Sequence, residues 1–230
     1  MITGFDRDRI QALLFDLDGT LADTDDLWVQ RLAGLLAHVL SADRAARLAR
    51  RWLMTSEGPA NAAFAAADRL GLDNLAAPLL AALHVLRGES RPGRFLVVPG
   101  VPEALLQLHR RYPMAIVTSR EAHSTRQFLE TFSLAPLFQC VATGRTCWRT
   151  KPHPAPVQWA ARQLGLAPDE CLVVGDTTVD IRAGRAAGAQ TAGVLCGFGQ
   201  RDDLERAGAH LILETTADLP QVLFGKAHTA

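Results

Sequence analysis

The sequence predicts an α/β fold: a Rossmann-like parallel sheet with helices on both faces, and an all-helical domain inserted near its start. In the second half of the chain, short apolar runs of strand length alternate with stretches of helical periodicity, which is typical of parallel sheets. Between residues 23 and 95, by contrast, apolar side chains recur at helical spacing and no convincing strand is found.

The first strand is predicted over Ile10–Phe15, an almost unbroken apolar run. The next five residues are Asp16-Leu17-Asp18-Gly19-Thr20, so two carboxylates follow the carboxyl end of a strand, where open α/β sheets bind their ligands. Alternate residues of an extended chain point the same way, which directs Asp16 and Asp18 toward one site. A bound Mg²⁺ is the obvious candidate to compensate the repulsion between them.

The helical insert is predicted over residues 23–95, and the core over residues 1–22 and 96–230. Breaks at 57–59 and 71–74 separate its helices, and Gly/Pro-containing connections near 88–93 lead back to the core. The alternative is that these helices pack as part of a single domain.

Later elements alternate regularly along the chain. Strands are predicted over Met114–Thr118, Phe138–Ala142, Cys171–Gly175, Thr191–Leu195 and His210–Leu213, and helices over Val101–Arg111, Ser124–Phe132, Pro154–Leu164 and Asp180–Ala187.

Residues suited to bind an anion lie beside two of these elements. Thr118 and Ser119 end a strand and suit either an anion or a helix cap. Lys151, one of only two lysines, precedes a helix that Pro154 opens. It is either a solvated surface group or a cation that neutralises charge developing on a phosphoryl group.

A second pair of carboxylates, Asp176 and Asp180, follows the strand Cys171–Gly175. Asp180 at a helix start is compatible with a capping role, an explanation that serves Asp176 less well. A hard cation held by oxygen ligands from two neighbouring strands explains both pairs.

In combination these residues resemble the haloacid dehalogenase (HAD) superfamily of aspartate-nucleophile phosphohydrolases. Asp16–Thr20 is similar to the first motif, Thr118 to the second, Lys151 to the third, and Asp176 with Asp180 to the fourth. The insert resembles the C1-type cap of the branch that includes phosphoglycolate phosphatase. Ser119 and Arg120 depart from the Asn and Lys that related sequences often carry after the second motif.

The resemblance implies a Mg²⁺-dependent phosphatase acting on a small phosphorylated metabolite, phosphoglycolate-like or a sugar phosphate. Asp16 would attack phosphorus, while Asp18 would act as general acid and then as general base. Asp16, the backbone carbonyl of Asp18, and Asp176 would hold Mg²⁺, with Asp180 binding it directly or through water. Lys151 and Thr118 would bind the phosphate oxygens with Ser119 beside them.

The presence or absence of particular residues distinguishes a phosphatase from the other activities of the superfamily. Asp18 disfavours a dehalogenase, and an insert without lysine offers no Schiff base to a phosphonatase. A phosphomutase shares the core residues, although Asp23–Asp26 lacks the Glu of the phosphoglucomutase-like subgroup. A non-catalytic binding protein would be expected to have lost a nucleophile or a metal ligand, and none is lost.

Substrate choice is predicted to lie in the cap. Its loop residues Glu57, Gly58 and Asn61 are candidates for reaching the leaving group, although an ordinary helix connection explains them nearly as well. Weaker candidates are Arg50, Arg51 and Arg69 for a substrate carboxylate, and Trp148 and Arg149 for the pocket mouth.

Charge and cysteine usage limit the partners. Acidic and basic residues number 24 each, so net charge implies no nucleic-acid partner. The four cysteines lack metal-finger spacing, no signal peptide is recognised, and no apolar run approaches membrane-spanning length. We therefore expect a cytoplasmic monomer or homodimer without a membrane partner.

Overall fold

The computed structural model describes residues 4–23 and 95–225. The chain divides into two units, Met1–Asp26 with Phe95–Ala230, and Leu27–Arg94, and every described residue belongs to the first. The predicted helical cap therefore lies almost entirely outside the described residues. So do the candidates placed in it: Glu57, Gly58, Asn61, Arg50, Arg51 and Arg69.

Six parallel strands form one sheet, in the order β3-β2-β1-β4-β5-β6. They are β1 (Ala12–Phe15), β2 (Met114–Val117), β3 (Cys140–Ala142), β4 (Cys171–Gly175), β5 (Gln190–Val194) and β6 (Leu211–Leu213). Phe15 is in register with Ile116 of β2 on one side and Val174 of β4 on the other. The strand order reverses between β1 and β4, and such a reversal opens the crevice in which α/β sheets bind ligands.

Helices cover both faces of the sheet. Within the described residues the α-helices are α1 (Val101–His109), α2 (Ala122–Thr131), α3 (Ala155–Gln163), α4 (Thr178–Ala187), α5 (Arg201–Ala207) and α6 (Leu219–Phe224). Because successive strand residues point to opposite faces, Phe15 packs in the cluster that contains Phe128, whereas Leu14 packs in the one that contains Val157. Among the described helices, none combines the length and hydropathy needed to cross a membrane.

The predicted α/β class with a parallel sheet is confirmed, and each predicted strand is present with bounds shifted by up to two residues. Two short helices, α5 and α6, were not predicted. Leu204 is the single buried residue of α5, so the apolar periodicity that identifies a helix is too weak there. α6 has six residues, less than two turns.

Candidate active site

The polar residues predicted to form a site follow neighbouring strands at one edge of the sheet. Asp16 directly follows β1, Thr118 follows β2 and Asp176 follows β4. The backbone N–H of Asp16 donates to the carbonyl of Val174 at 2.9 Å, so the strand ladder continues to the first of these residues. The three side chains are buried, and Asp16 and Asp176 follow the two strands between which the strand order reverses.

Lys151 lies between two carboxylates in this crevice. Its Nζ donates to Asp16 Oδ1 at 2.6 Å and to Asp180 Oδ1 at 2.5 Å, and its side chain is 6% exposed. A buried ammonium is tolerated only where opposite charges and hydrogen bonds compensate its lost hydration. Lys151 is therefore no solvated surface group, and its charge is fixed beside Asp16.

Asp180 uses its two oxygens for two purposes. Oδ1 accepts from Lys151, while Oδ2 accepts from the backbone N–H of Thr177 at 3.1 Å and from its hydroxyl at 2.6 Å. The second set of bonds caps the first turn of α4. The same carboxylate thus caps the N-terminus of α4 and contacts Lys151 in the candidate site.

Asp176 is fully buried in a turn that closes tightly around it. Its Oδ2 accepts from the backbone N–H of Phe198 at 2.8 Å, and its Oδ1 lies 3.4 Å from the Thr20 hydroxyl. Gly19 has φ +74°, and a Cβ at Gly19 or at Gly197 would collide with Asp176 Oδ2. Glycine is needed at both positions because the backbone approaches this carboxylate so closely.

Three buried carboxylates are close enough together to hold a divalent cation. Asp16, Asp176 and Asp180 each offer an oxygen within 4.8 Å of the others. Carboxylate oxygens are the ligands that Mg²⁺ prefers. The Lys151 ammonium offsets only part of the negative charge of this trio, so the charge and the chemistry of the donor set both fit Mg²⁺.

The burial of these charges shifts their proton affinities. Burial raises the pKa of Asp16 to about 8, against the opposing effect of the Lys151 ammonium, and the charges of Asp180 and Asp18 raise it as well. For Lys151, burial disfavours the charged form, but Asp16 and Asp180 outweigh it and hold the pKa above its ordinary value. In the site without a metal ion, Asp16 therefore retains its proton to a higher pH than an ordinary aspartate does.

Asp18 faces the guanidinium of Arg120, a residue that departs from the family pattern and was not predicted to belong to the site. Arg120 Nη2 lies 3.3 Å from Asp18 Oδ1, and the guanidinium carbon lies 5.5 Å from the centre of the Phe95 ring. The Thr118 hydroxyl oxygen accepts the backbone N–H of Arg120 at 3.1 Å, whereas the Ser119 side chain is exposed. A sequence signal existed: an arginine two residues after a strand-end threonine.

Trp148 and Arg149 lie before Lys151 on the surface. Trp148 is 75% exposed, and the Arg149 guanidinium carbon lies 4.3 Å from the centre of its ring. These contacts neither assign nor exclude the pocket-mouth role, which stays a prediction.

A separate cavity of about 320 Å³ lies at the opposite edge of the sheet, before β4, β5 and β6. It is lined in part by Arg9, Asp169, Arg185 and His210, and by no residue of the predicted site. Arg9 is paired with Asp169 and Arg185 contacts His210, so these side chains are already engaged with one another. The predicted site residues Asp16, Thr118 and Asp176 lie at the carboxyl edge instead.

The chain is similar to known proteins in sequence and in fold. The family model of haloacid dehalogenase-like hydrolases matches residues 13–194. Pyrophosphatase PpaX of Anoxybacillus flavithermus is 31% identical over 217 residues, which cover 94% of this chain and 97% of that protein. A phosphoglycolate phosphatase of Nitrosococcus oceani is 30% identical over 139 residues, which cover 60% and 62% respectively. The solved structure of a hydrolase from Pseudomonas syringae, 28% identical, gives a TM-score of 0.70 and covers 93% of this chain and 98% of that one.

Proposed function

The chain belongs to the haloacid dehalogenase-like hydrolases, and we propose that it is a Mg²⁺-dependent phosphatase that hydrolyses small phosphate monoesters through an aspartyl-phosphate on Asp16. The observation that carries the proposal is the buried Lys151 ammonium, which contacts Asp16 and Asp180 beside Asp176. The names of the pyrophosphatase and phosphoglycolate phosphatase relatives support the same reaction class.

Asp16 and Asp18 divide the covalent chemistry between them. A carboxylate oxygen of Asp16 forms a bond to phosphorus while the bond from phosphorus to the leaving oxygen breaks, and Asp18 protonates that oxygen. Water then attacks the phosphorus of the aspartyl-phosphate, Asp18 removes a proton from this water, and the Asp16 carboxylate is regenerated together with phosphate.

Lys151 and Thr118 bind the phosphoryl oxygens in this proposal. The Thr118 hydroxyl oxygen accepts the N–H of Arg120, which leaves its hydrogen to be donated to a phosphate oxygen. The Lys151 ammonium stabilises negative charge in a site from which water is largely excluded. Mg²⁺ held by Asp16, Asp176 and Asp180, and by the Asp18 carbonyl, would screen the repulsion between the carboxylates and the phosphate.

The substrate class is a small phosphorylated metabolite. Phosphoglycolate-like compounds and sugar phosphates follow from the resemblance, and the name of the pyrophosphatase relative adds pyrophosphate, a phosphoanhydride, as a further candidate. Contacts to the leaving group are assigned to the helical cap of residues 23–95, with Glu57, Gly58 and Asn61 as candidates. A cytoplasmic location and a monomeric or homodimeric state complete the proposal.

Phosphate release by the purified protein tests this function. With Mg²⁺ we expect turnover of p-nitrophenyl phosphate and of at least one member of a panel of phosphoglycolate, sugar phosphates and pyrophosphate. EDTA and the substitution Asp16→Asn should each abolish it. Inactivity across the panel with Mg²⁺ present would contradict the proposal. Isomerisation of a sugar phosphate that depends on an added bisphosphate, without net phosphate release, would identify the phosphomutase instead.

A further inference from the structure

We propose that Arg120 is a positioning residue that holds Asp18 in the orientation from which it protonates the leaving group. The inference rests on the proposed function, in which Asp18 is the general acid. Its structural basis is the ion pair between Arg120 Nη2 and Asp18 Oδ1, at 3.3 Å. The arginine side chain is 14% exposed and the aspartate side chain 33%, so water screens this pair less than a pair on the open surface.

The backbone of Arg120 is fixed on both sides. Its N–H donates to the Thr118 hydroxyl oxygen at 3.1 Å, and its carbonyl accepts the N–H of Gly144 at 3.4 Å. Gly144 approaches this segment so closely that a Cβ there would lie 2.8 Å from the carbonyl oxygen of Ser119. The arginine therefore starts from a defined point at the end of β2.

The guanidinium is held at its far end as well. Its central carbon lies 5.5 Å from the centre of the Phe95 ring, a distance at which a cation is attracted to an aromatic face. Phe95 in turn meets the fully buried Phe128 edge to face, with ring centres 5.8 Å apart. Arginine loses much rotamer freedom when it forms an ion pair, and this support reduces that entropic cost.

Arg120 acts through Asp18, because a guanidinium supplies a fixed charge and hydrogen-bond donors whereas the carboxylic acid supplies the proton. A carboxylic acid transfers its proton efficiently only within hydrogen-bond reach of the leaving oxygen and in the right direction. An ion pair to one carboxylate oxygen restricts the rotation of the whole group. Arg120 thus sets where the other oxygen of Asp18 points.

Leaving-group dependence tests this role, because protonation matters most for poor leaving groups. The second-order constant kcat/KM reports the steps up to aspartyl-phosphate formation and is measured over a series from 2,4-dinitrophenyl phosphate to alkyl phosphates. For Arg120→Met, which keeps the length and removes the charge, we expect a loss of about 30-fold with alkyl phosphates and less than about 3-fold with the dinitrophenyl ester. Arg120→Lys should recover part of the loss.

A second variant keeps the inference testable if Arg120→Met also weakens folding. In an Asp18→Asn background the acid is gone, so adding Arg120→Met should reduce kcat/KM for alkyl phosphates by less than about 3-fold. An equal loss across the series, or a rise in KM restricted to substrates with a second anionic group, would overturn the inference. Activity of the wild type separates the two hypotheses: if it hydrolyses none of the esters, the proposed function itself fails.

Discussion

Lys151 and Asp180 share a 2.5 Å hydrogen bond that connects the phosphate-binding cation of the proposed site to the first turn of α4. The same carboxylate accepts both donors of Thr177 through its other oxygen. Lys151 in turn reaches Asp16 at the end of β1, 135 positions away in sequence. Three separate segments are therefore held in one arrangement by the charge of a single lysine.

Replacing Lys151 by methionine should damage folding and activity together. The change leaves Asp16 and Asp180 buried without their ammonium, and breaking a buried ion pair from one side costs about 3–5 kcal/mol. We expect that loss in the free energy of unfolding measured with EDTA, a smaller loss with Mg²⁺, and a kcat lower by about 100-fold or more. Lys226→Met, which removes the other lysine, is the control. Equal effects of the two substitutions would contradict the argument.

Substitutions of Thr177 and Asp180 distinguish the capping of helix α4 from metal binding at the site. Thr177→Ala removes one hydroxyl donor to Asp180 and should lower the free energy of unfolding by about 1 kcal/mol with little change in Mg²⁺ affinity. Asp180→Ala removes the cap and the partner of Lys151, so stability and Mg²⁺ affinity should both fall. The measurements are denaturant unfolding and titration of Mg²⁺ by calorimetry. A Thr177→Ala protein that loses Mg²⁺ affinity as strongly as Asp180→Ala would argue against this separation.

The fold class and the hydrolase family could be predicted from the sequence because the patterns that indicate them are local. Apolar runs end in acidic residues at β1 and β4, and that pattern needs no tertiary information. The family match confirms this prediction. The burial of Lys151 is different in kind. A lone lysine is usually solvated, whereas this one is buried against carboxylates that lie 135 and 29 positions away in sequence.

Arg120 illustrates the same limit at the site. Its position after Thr118 was visible in the sequence, but its partner Asp18 lies in another segment, and the two meet only because β1 and β2 are neighbours in the sheet. Gly197 is a second residue whose role could not be predicted from the sequence. The need for it becomes apparent only when the Asp176 carboxylate is seen against its backbone. Side-chain partners between strands follow from the topology, which periodicity alone does not provide.

The raised pKa of Asp16 predicts how stability depends on pH. Its pKa is about 8 in the metal-free fold and has its ordinary value near 3.8 when the chain is unfolded. Between these values the folded state binds more protons, so the free energy of unfolding with EDTA should fall as pH rises from about 5 to about 8. In Asp16→Asn this contribution is absent. Comparing the two proteins by denaturant titration at each pH cancels the other groups, and parallel curves would contradict the prediction.

The same proton should compete with Mg²⁺. Below about pH 8 the cation must displace the proton of Asp16, so the apparent dissociation constant for Mg²⁺ should increase as pH falls, by up to about tenfold per unit. Calorimetric titration in two buffers of different ionisation enthalpy measures the proton released. A dissociation constant that does not change between pH 6 and 8 would show that Asp16 is already ionised in the metal-free site.

Gly19 and Gly165 form a matched pair that measures how tightly the chain closes around Asp176. Their φ angles are +74° and +73°, so alanine experiences the same left-handed strain at either position. A Cβ at Gly19 collides with Asp176 Oδ2, whereas no described atom lies within 4 Å of one at Gly165. Gly165→Ala should therefore cost about 1 kcal/mol of unfolding free energy and leave kcat unchanged. Gly19→Ala should cost about 2 kcal/mol or more and reduce Mg²⁺ affinity, because Asp176 must move to admit the methyl group. If both variants unfold and bind Mg²⁺ alike, the contact between Gly19 and Asp176 does not govern the metal site.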